Sequence, residues 1–467
     1  MKINIASNEV VHFIGIGGIG MSGLAQIMKN TGFIIQGSDS SRNKNTERLI
    51  KLGIKVYFGH HQKNLKKATM IVISSAIKKN NRELKFARSK KLPIFKRGDM
   101  LANIVALKKN IIVTGSHGKT TTTSLVANIL LEAGLDPTVI NGGVINSFKN
   151  TAQLGKGDWA VIESDESDGS FLKLPVTYSI VTNVDKEHLD YYKNFNNLKK
   201  SFKKFIEKTP SFGKSLVCFD DSNLRSIISN CSKNNLLTYG FNWNSNYRIK
   251  NVKKNSNGSV FDLGINFSKN KTFDIKNIKV NLLGDHNIRN TTASISIALN
   301  LGIKISKIKK ALKKFLGIQR RFTKVFSIKE REFFDDYAHH PTEIMAVINS
   351  AKEVYKNRKV ITVFQPHRYS RVKALKKEFS LSFKKSDTVI LCPVYSAGEK
   401  MKYNFNQNDF AKLISKKSKV QVINIKNQKD LKNYFKKNLV KDEVVICMGA
   451  GSISSWIREI GEEIKWV

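Results

Sequence analysis

The sequence predicts an α/β protein of three domains, because apolar runs alternate with helical patterns along nearly the whole chain. At about 150 residues per domain, a chain of 467 residues corresponds to three domains. Hydrophobic residues make up 41% of the chain and charged residues 25%, which is typical of globular proteins with several cores. Strands that alternate with helices form parallel sheets, so we expect a parallel sheet covered by helices in each domain.

The first predicted domain covers residues 1–107 and is Rossmann-like. Residues 10–17 (VVHFIGIG) are typical of a buried strand, and residues 19–30 (IGMSGLAQIMKN) are typical of a helix. Two more buried strands are expected at residues 33–39 and 68–77.

The second predicted domain covers residues 108–318 and begins with a strand, a loop and an apolar helix. Residues 240–282 alternate apolar and polar side chains around Asn-Gly turn signals, which indicates a small antiparallel portion built of hairpins. A helix is expected at residues 291–302. The remaining buried strands of this domain are predicted at 158–164, 177–184 and 214–219.

The third predicted domain covers residues 319–467 and is again Rossmann-like. Its predicted strands lie at 331–338, 359–366, 387–394 and 442–451.

The four cysteines are scattered without CxxC spacing, which argues against a disulfide framework or a cysteine zinc site and favours a reducing compartment. No apolar stretch approaches the roughly 18 residues of a membrane span. The polar residues before the first apolar run do not fit a signal peptide. We therefore expect a cytoplasmic protein that does not insert into membranes.

The net charge of +43 has two interpretations. A pI near 10 would suit a protein that binds nucleic acid. Lysines are spread along the whole chain, however, whereas a nucleic-acid-binding face would concentrate them. Compositional bias is the favoured interpretation, with no nucleic-acid partner. A positive field would still attract anionic substrates.

A glycine-rich turn follows the first strand and opens the first helix. Glycines permit a tight turn and close backbone approach, and the helix N-terminus offers free N–H groups to a diphosphate. An acidic residue about 20 positions further on completes the pattern of a dinucleotide-binding fold. This leaves open whether the ligand is NAD or another nucleotide. The residues of the motif are Gly15, Gly17, Gly18, Gly20 and Asp39.

A second motif, Thr114-Gly-Ser-His-Gly-Lys-Thr-Thr121, lies between an apolar strand and an apolar helix. It departs from the common phosphate loop because position 113 is Val, but its Gly-Lys-Thr core is intact. Loop N–H groups would hold phosphates, Lys119 would reach the β- and γ-phosphates, and the Thr120 hydroxyl could bind Mg²⁺. An ATP site beside a diphosphate-binding domain indicates a ligase or kinase that acts on a nucleotide-linked substrate.

Metal candidates follow two later strands of this domain. Glu163 begins an acidic run, and His188 follows the strand at 177–184. Together with Thr120 they would supply hard oxygens and one imidazole, although Mg²⁺ prefers oxygen ligands. Read by itself, His188 is more often a structural histidine, and the acidic run could be a solvated loop.

The third domain carries three polar clusters where strands meet loops: Arg320-Arg321-Phe322, residues 335–341 (DDYAHHP) and residues 365–371 (QPHRYSR). The guanidinium group of arginine binds carboxylates and phosphates through two parallel hydrogen bonds. His339 and His340 could suggest a zinc site, but no third ligand lies at a sequence spacing typical of such sites. Taken singly, each cluster could equally be polar surface.

Together these motifs resemble the Mur ligase family, and within it the branch that adds L-alanine to UDP-N-acetylmuramate. The resemblance covers nearly the whole chain, and the missing first glycine of the phosphate loop is a family feature. The motifs that carry it are HFIGIGGIGMSG, SSAI, GSHGKTTTT, ESDESDGSF, TNVDKEHLD, GDHNIRN, RRF, DDYAHHPTE, QPHRYSR, PVYSAGE and MGAGS.

The resemblance implies a role for each matched residue. The ATP contacts would be Gly115, Ser116, His117, Gly118, Lys119, Thr120, Thr121, Asn290 at adenine, Arg321, and Asp336 at ribose. The UDP part of the substrate would meet Gly15, Gly17, Gly18, Gly20, Asp39, Ser74, Ser75 and Ala76. The amino-acid side would be lined by Tyr337, His339, His367, Arg368 and Arg371, with Arg371 on the alanine carboxylate. Magnesium would be held by Thr120, Glu163 and His188. The residues implied in catalysis are Lys119, Thr120, Glu163, His188 and Arg371.

The resemblance also implies an ATP-dependent carbon–nitrogen ligase of peptidoglycan precursor synthesis, which works as a monomer or weak dimer through an acyl phosphate. Gly284-Asp285 stands where many relatives have Gly-Arg, so we expect a changed local contact. No carbamylated lysine is assigned in residues 198–206. The alternatives are a ligase of the same family with another amino acid or peptide, an NAD-dependent oxidoreductase and a nucleic-acid-binding ATPase.

Overall fold

In the computed structural model the described residues are 9–106, 108–146, 150–231, 235–268, 271–399 and 405–464. They form three sheets with helices between and around the strands. Of these residues, those up to Asn251, together with Phe261–Ile278 and Arg289–Leu316, belong to one compact unit. Val252–Val260, Lys279–Ile288 and the residues from Gly317 onward belong to a second unit.

The N-terminal sheet is parallel and has the strand order β3-β2-β1-β4-β5. Its strands are β1 (Val10–Ile14), β2 (Ile34–Asp39), β3 (Lys55–Phe58), β4 (Met70–Ile73) and β5 (Ile94–Lys96). Its helices are α1 (Ile19–Asn30), α2 (Lys44–Lys51), α3 (Arg82–Ser89) and α4 (Arg97–Val105). The order reverses between β1 and β4, and open α/β sheets bind ligands at the carboxyl ends of the strands at such a point. The turn Gly15–Gly18 lies there.

The second sheet has ten strands in the order β15-β14-β13-β12-β11-β10-β6-β9-β7-β8. The first five in chain order are β6 (Lys109–Thr114), β7 (Thr138–Ile145), β8 (Asn150–Gln153), β9 (Trp159–Glu163) and β10 (Tyr178–Val181). The others are β11 (Ser215–Cys218), β12 (Leu236–Gly240), β13 (Tyr247–Asn255), β14 (Gly258–Ser268) and β15 (Lys271–Val280). The helices that follow in chain order are α5 (Lys119–Glu132), α6 (Leu189–Tyr192), α7 (Phe195–Lys208), α8 (Ser222–Ile228), α9 (Asp285–Asn300) and α10 (Ile305–Lys314).

The predicted antiparallel portion corresponds to β13, β14 and β15. Only two residues join the neighbouring strands β13 and β14, and a link this short is possible only between antiparallel partners. β13 pairs in parallel with β12, with Tyr239 opposite Tyr247, so the sheet is mixed.

The third sheet has the order β16-β17-β21-β18-β19-β20, in which only the edge strand β16 is antiparallel to its neighbour. Its strands are β16 (Thr323–Ile328), β17 (Arg331–Asp336), β18 (Lys359–Phe364), β19 (Thr388–Leu391), β20 (Gln421–Asn424) and β21 (Glu443–Met448). Its helices are α11 (Pro341–Val354), α12 (Tyr369–Ala374), α13 (Lys376–Leu381), α14 (Gln407–Ser418), α15 (Gln428–Asn438) and α16 (Ile453–Ile464).

Strand β18 shows why this sheet is covered on both faces. Val360 and Phe364 belong to one apolar cluster, whereas Ile361 and Val363 belong to another. Successive side chains of a strand point to opposite faces, so each face of the sheet has its own core. This is the Rossmann-like layering expected for the third domain.

None of the helices within the described ranges has the length and apolarity needed to cross a membrane. The predicted boundary between the first two domains falls between α4, which ends at Val105, and β6, which begins at Lys109. The N-terminal sheet and strands β6 to β12 belong to the same compact unit, where Lys173 Nζ lies 2.6 Å from Asp99 Oδ1.

Candidate active site

The phosphate loop connects β6 to α5 and depends on two glycines with positive φ. Gly115 has φ +129°, and a Cβ atom there would collide with the Thr182 hydroxyl and lie 2.9 Å from the Asn183 carbonyl oxygen. Gly118, with φ +82°, is the N-cap of α5. Residues with a side chain rarely adopt a positive φ, which explains why both positions are occupied by glycine.

The segment after β10 braces this loop. The backbone N–H of His117 donates to Asn183 Oδ1 at 2.8 Å, and the Thr182 hydroxyl donates to the His117 carbonyl at 2.6 Å. The N–H of Asp185 donates to the Ser116 hydroxyl at 2.8 Å. Ser116 and His117 are therefore fixed before any ligand binds. Such preorganisation lowers the cost of holding phosphates.

Lys119 lies at the start of α5 and bends back over the loop. Its Nζ donates to the carbonyls of Gly115 at 2.5 Å and Ser116 at 3.1 Å, and it pairs with Glu166 Oε2 at 2.9 Å. Burial disfavours the ammonium, but the carboxylates of Glu166 and Asp165 outweigh this and raise the pKa of Lys119 well above its ordinary value. Lys119 is therefore a permanent positive charge at the loop.

Thr120 and Glu163, two of the three residues predicted to hold a metal, lie close together. The Thr120 hydroxyl donates to Glu163 Oε1 at 3.1 Å, and the N–H of Gly142 donates to Glu163 Oε2 at 2.6 Å. A Cβ atom on Gly142 would lie 2.5 Å from Glu163 Oε1, so only glycine leaves room for this carboxylate. No sequence motif points to Gly142.

His188 lies beside other acidic residues of the 163–168 run. Ligand atoms of His188, Asp165 and Glu166 all lie within 4.8 Å of one another, and His188 Nε2 is 3.7 Å from Glu166 Oε1. Glu166 is fully buried, and its Oε1 has no hydrogen-bond partner among the described residues. A buried carboxylate oxygen without a donor fits a cation ligand. Asp165, Glu166 and His188 thus offer two carboxylates and one imidazole, and the carboxylates fit Mg²⁺ better than the imidazole does. The predicted metal set of Thr120, Glu163 and His188 stays a prediction.

Asn290 lies on α9 next to the phosphate loop. A Cβ atom on Gly118 would be 2.7 Å from Asn290 Oδ1, and Asn290 is 5% exposed. This places Asn290 against the start of α5. Its contact with adenine stays a prediction.

The glycine turn of the first sheet is tied to β2. Gly15 has φ +82°, and the N–H of Gly17 donates to Asp39 Oδ2 at 2.8 Å. A Cβ atom on Gly17 would lie 2.6 Å from Asn43 Nδ2. Asp39 therefore fixes the turn itself, and its contact with the UDP part of a substrate stays a prediction.

Residues 74–76 lie beside this turn. The N–H of Ser74 donates to the Ile14 carbonyl at 3.2 Å, while Ser75 and Ala76 are exposed.

Arg97, at the start of α4, has a position near the glycine turn that was not predicted. Its guanidinium lies against Gly20, because a Cβ atom on that glycine would be 2.8 Å from Arg97 Nη1. A guanidinium next to a helix N-terminus adds positive charge where a diphosphate is expected.

In the second unit, Asp336 ends β17 and is almost fully buried. It accepts the N–H groups of Phe322 and Ala338, each at 2.7 Å. Burial raises the pKa of Asp336 to about 6, although the charge of Arg321 and the two N–H groups oppose this. The Cζ atom of Arg321 lies 5.5 Å from the centre of the Tyr337 ring.

The structure brings together most of the residues predicted for the amino-acid side. The rings of Tyr337 and His339 are 5.3 Å apart and those of His339 and His367 are 5.8 Å apart, while Arg371 Nη1 is 3.4 Å from His367 Nδ1. Burial and the positive charges around it lower the pKa of His367 to about 3, so its imidazole is neutral. The backbone of Arg368 has φ +67°.

Tyr395 completes this cluster, although its role was not predicted. Its ring stacks on His367 at 5.6 Å with an interplanar angle of 13°, and its carbonyl accepts the N–H of Arg368 at 2.8 Å. Tyr395 lies in the PVYSAGE motif, which was the only sequence feature that could have pointed to it.

Elsewhere in this unit lies Asp285, the residue that departs from the family pattern. Its Oδ1 lies 2.6 Å from Lys254 Nζ, so the two side chains form an ion pair.

Three family models match the chain. The model described as the Mur ligase family, catalytic domain, matches residues 10–109. The Mur ligase middle domain matches residues 113–298, and the Mur ligase, glutamate ligase domain, matches residues 320–451. The chain belongs to the Mur ligase family.

Curated relatives match over the full length. The UDP-N-acetylmuramate–L-alanine ligase of Pelagibacter ubique is 57% identical over 464 residues, which are 99% of this chain and 100% of the relative. The ligase of the same name from Brucella anthropi is 42% identical over 99% of this chain and 98% of its own.

Solved structures agree. The UDP-N-acetylmuramate–alanine ligase of Thermotoga maritima superimposes with a TM-score of 0.83 at 27% identity and covers 98% of this chain and 99% of its own. A murein peptide ligase from Psychrobacter arcticus has a TM-score of 0.72 at 20% identity, with 98% and 99% coverage, which is a likeness of fold alone. The predicted three-domain α/β fold is confirmed.

Proposed function

We propose that the protein joins L-alanine to the carboxylate of UDP-N-acetylmuramate with ATP, giving ADP and phosphate, in peptidoglycan precursor synthesis. The observation that carries this is the 57% identity over 99% of the chain to a ligase of that name. The phosphate loop, with Lys119 paired to the fully buried Glu166, supports the ATP part independently.

The reaction has two chemical steps. An oxygen of the muramyl carboxylate attacks the γ-phosphorus of ATP, and the bond to the leaving ADP breaks, which gives an acyl phosphate. The amine of L-alanine then attacks the acyl carbon, forms a tetrahedral intermediate, loses a proton and expels inorganic phosphate. The protein forms no covalent bond in this scheme, so its contribution is positioning and charge stabilisation.

Lys119 is assigned to the charge that develops on the transferred phosphoryl group, which its raised pKa suits. The loop N–H groups of residues 115–121 bind the ATP phosphates. Asn290 is assigned to adenine, and Arg321 and Asp336 are also assigned to ATP. Thr120, Glu163 and His188 would hold Mg²⁺, which would act as a Lewis acid on phosphate oxygens when bound.

The glycine turn, Asp39 and residues 74–76 are assigned to the UDP part of the substrate. Arg371 is assigned to the alanine carboxylate, because a guanidinium binds a carboxylate through two parallel hydrogen bonds. The neutral His367 is assigned a place beside it, together with Tyr337, His339 and Arg368. We also propose that the protein acts in the cytoplasm as a monomer or weak dimer and does not bind nucleic acid.

The test is phosphate release from ATP with Mg²⁺, UDP-N-acetylmuramate and one amino acid at a time, with a tripeptide among the additions. We expect release only when UDP-N-acetylmuramate and L-alanine are both present. Release that requires another amino acid or the tripeptide would leave the ATP site intact but overturn the assigned amino-acid side. Release that does not require the UDP-sugar would overturn the function.

A further inference from the structure

The N-terminal sheet buries a carboxylate to which no sequence motif pointed. Glu83, in the first turn of α3, has no exposed surface, and neither have His12 on β1 and Ser38 on β2. Moving a carboxylate out of water costs several kcal/mol, so it is kept only where neighbours compensate. The residues around Glu83 supply this compensation.

Both oxygens of Glu83 have partners. Oε2 accepts from the Ser38 hydroxyl at 2.5 Å and lies 3.1 Å from His60 Nδ1. Oε1 accepts from Asn64 Nδ2 at 2.7 Å and from the N–H of His61 at 3.3 Å.

The ionisation of this carboxylate follows from the same contacts. His12 Nε2 lies 3.6 Å from Glu83 Oε2. Burial would raise the pKa of Glu83, but His12, Ser38 and Asn64 outweigh it and lower the pKa to about 2. Glu83 is therefore an anion at neutral pH.

Ser38 connects this anion to the glycine turn. Its side chain donates to Glu83, while its backbone carbonyl accepts the N–H groups of Gly15 at 2.8 Å and Ile16 at 3.0 Å. The next residue, Asp39, accepts the N–H of Gly17 through its carboxylate. The end of β2 thus holds three consecutive N–H groups of the turn, and Glu83 holds the end of β2.

The position of the cluster in the sheet favours a role in binding. Ser38 lies near the carboxyl end of β2 and His60 follows the carboxyl end of β3, the edge at which open α/β sheets bind ligands. His60 keeps 21% of its side chain exposed there while its Nδ1 is held by Glu83. The cluster therefore lies at the edge of the sheet where a ligand would bind.

We propose that Glu83 is a positioning residue for the UDP part of the substrate, acting through Ser38 on the glycine turn. This inference rests on the proposed function. Glu83 holds the end of β2, and the end of β2 fixes the turn through the N–H groups of residues 15–17. That turn then places the start of α1, whose first N–H groups would meet the diphosphate. Removing the charge while keeping the size of the side chain should loosen Ser38 and weaken binding of the nucleotide part without affecting the ATP site.

The test uses the variant Glu83→Gln in the full-length protein. We expect the KM for UDP-N-acetylmuramate to rise severalfold, because a neutral amide holds the Ser38 hydroxyl less firmly than a carboxylate does, with kcat and the KM for ATP unchanged. Calorimetry with UDP-N-acetylmuramate alone should show the same loss of affinity. Glu47→Gln, at an exposed carboxylate of α2, is the matched control and should leave all constants at wild-type values.

Each outcome decides a different point. A wild-type protein that does not bind UDP-N-acetylmuramate overturns the proposed function and this inference with it. Wild-type affinity in Glu83→Gln overturns the positioning role alone, and so does a parallel rise in both KM values, which indicates general disruption. If Glu83→Gln does not fold, Ser38→Ala decides: severalfold weaker binding of the UDP-sugar with an unchanged KM for ATP supports the role, and unchanged binding overturns it.

Discussion

Lys119 shows how one residue can serve both the fold and the chemistry. Its ammonium pairs with the fully buried Glu166 and would also be the group that meets ATP phosphates. Breaking a buried ion pair by removing one partner costs roughly 3–5 kcal/mol, because the other charge is left uncompensated. The two roles of Lys119 can therefore be separated only by changing both residues.

We expect Lys119→Ala to abolish phosphate release and to lower the thermal unfolding midpoint, while calorimetry shows unchanged binding of UDP-N-acetylmuramate. In the double variant Lys119→Ala/Glu166→Gln the midpoint should recover, because the buried charge is gone, but turnover should not. Lys204→Ala, at an exposed lysine of α7, is the control. Recovered turnover in the double variant would show that Lys119 acts only through stability.

Asp336 gives a pH dependence whose direction follows from its raised pKa. The carboxylate is protonated as the pH falls through about 6, and the protonated form is a poorer acceptor for ribose hydroxyl groups. We expect the KM for ATP to rise below about pH 6 in the wild type. Because ATP also takes up protons there, the comparison is with Asp336→Asn, whose KM should be high at every pH and should follow only the titration of ATP. Identical pH profiles would exclude this role of Asp336.

At the scale of single elements, the loops that carry chemistry could be predicted because their signals are local. The glycine turn after β1 and the phosphate loop after β6 were predicted from a strand, glycines and a helix in sequence order. The edge strands β3 and β20 were not predicted, because none of their residues is fully buried and neither strand forms a long apolar run. Glu83, Arg97 and Tyr395 were missed since their partners are distant in sequence.

The strand β7 positions the metal candidates through Gly142. The N–H of this residue binds Glu163, and a Cβ atom would lie 2.5 Å from the carboxylate. We expect Gly142→Ala to displace Glu163 from Thr120 and to raise the Mg²⁺ concentration for half-maximal activity about tenfold, the usual effect of disturbing the surroundings of a metal ligand. Manganese binding followed by electron paramagnetic resonance measures the same effect without turnover.

Gly134→Ala provides the control for a general loss of stability at a glycine that contacts no metal candidate. Gly134 has φ +85° after α5, and a Cβ atom there meets nothing within 4 Å. This variant should lose about 1 kcal/mol of stability, the cost of placing a side chain in the left-handed conformation, and keep the wild-type Mg²⁺ dependence. Equal Mg²⁺ dependence in both variants would mean that Gly142 does not control Glu163.

At the scale of the whole molecule, the net charge of +43 is the property that the motifs leave unexplained. A field of this sign raises the local concentration of anions, and salt screens it over a Debye length of about 10 Å at 0.1 M ionic strength. The proposed substrates divide cleanly by charge. ATP and the UDP-sugar acid are polyanions, whereas L-alanine is a zwitterion without net charge.

This division gives a test within one enzyme. Raising the ionic strength from about 20 mM to about 200 mM should lower kcat/KM severalfold for ATP and for UDP-N-acetylmuramate, because screening removes the attraction of the field. The kcat/KM for L-alanine should stay constant, since a zwitterion gains little from a uniform field. Steady-state kinetics with potassium chloride and with potassium glutamate would separate screening from binding of a particular anion. A loss of kcat/KM that is equal for all three substrates would point to salt acting on the protein itself. In that case the excess of lysine is a compositional bias and does not serve to attract the anionic substrates.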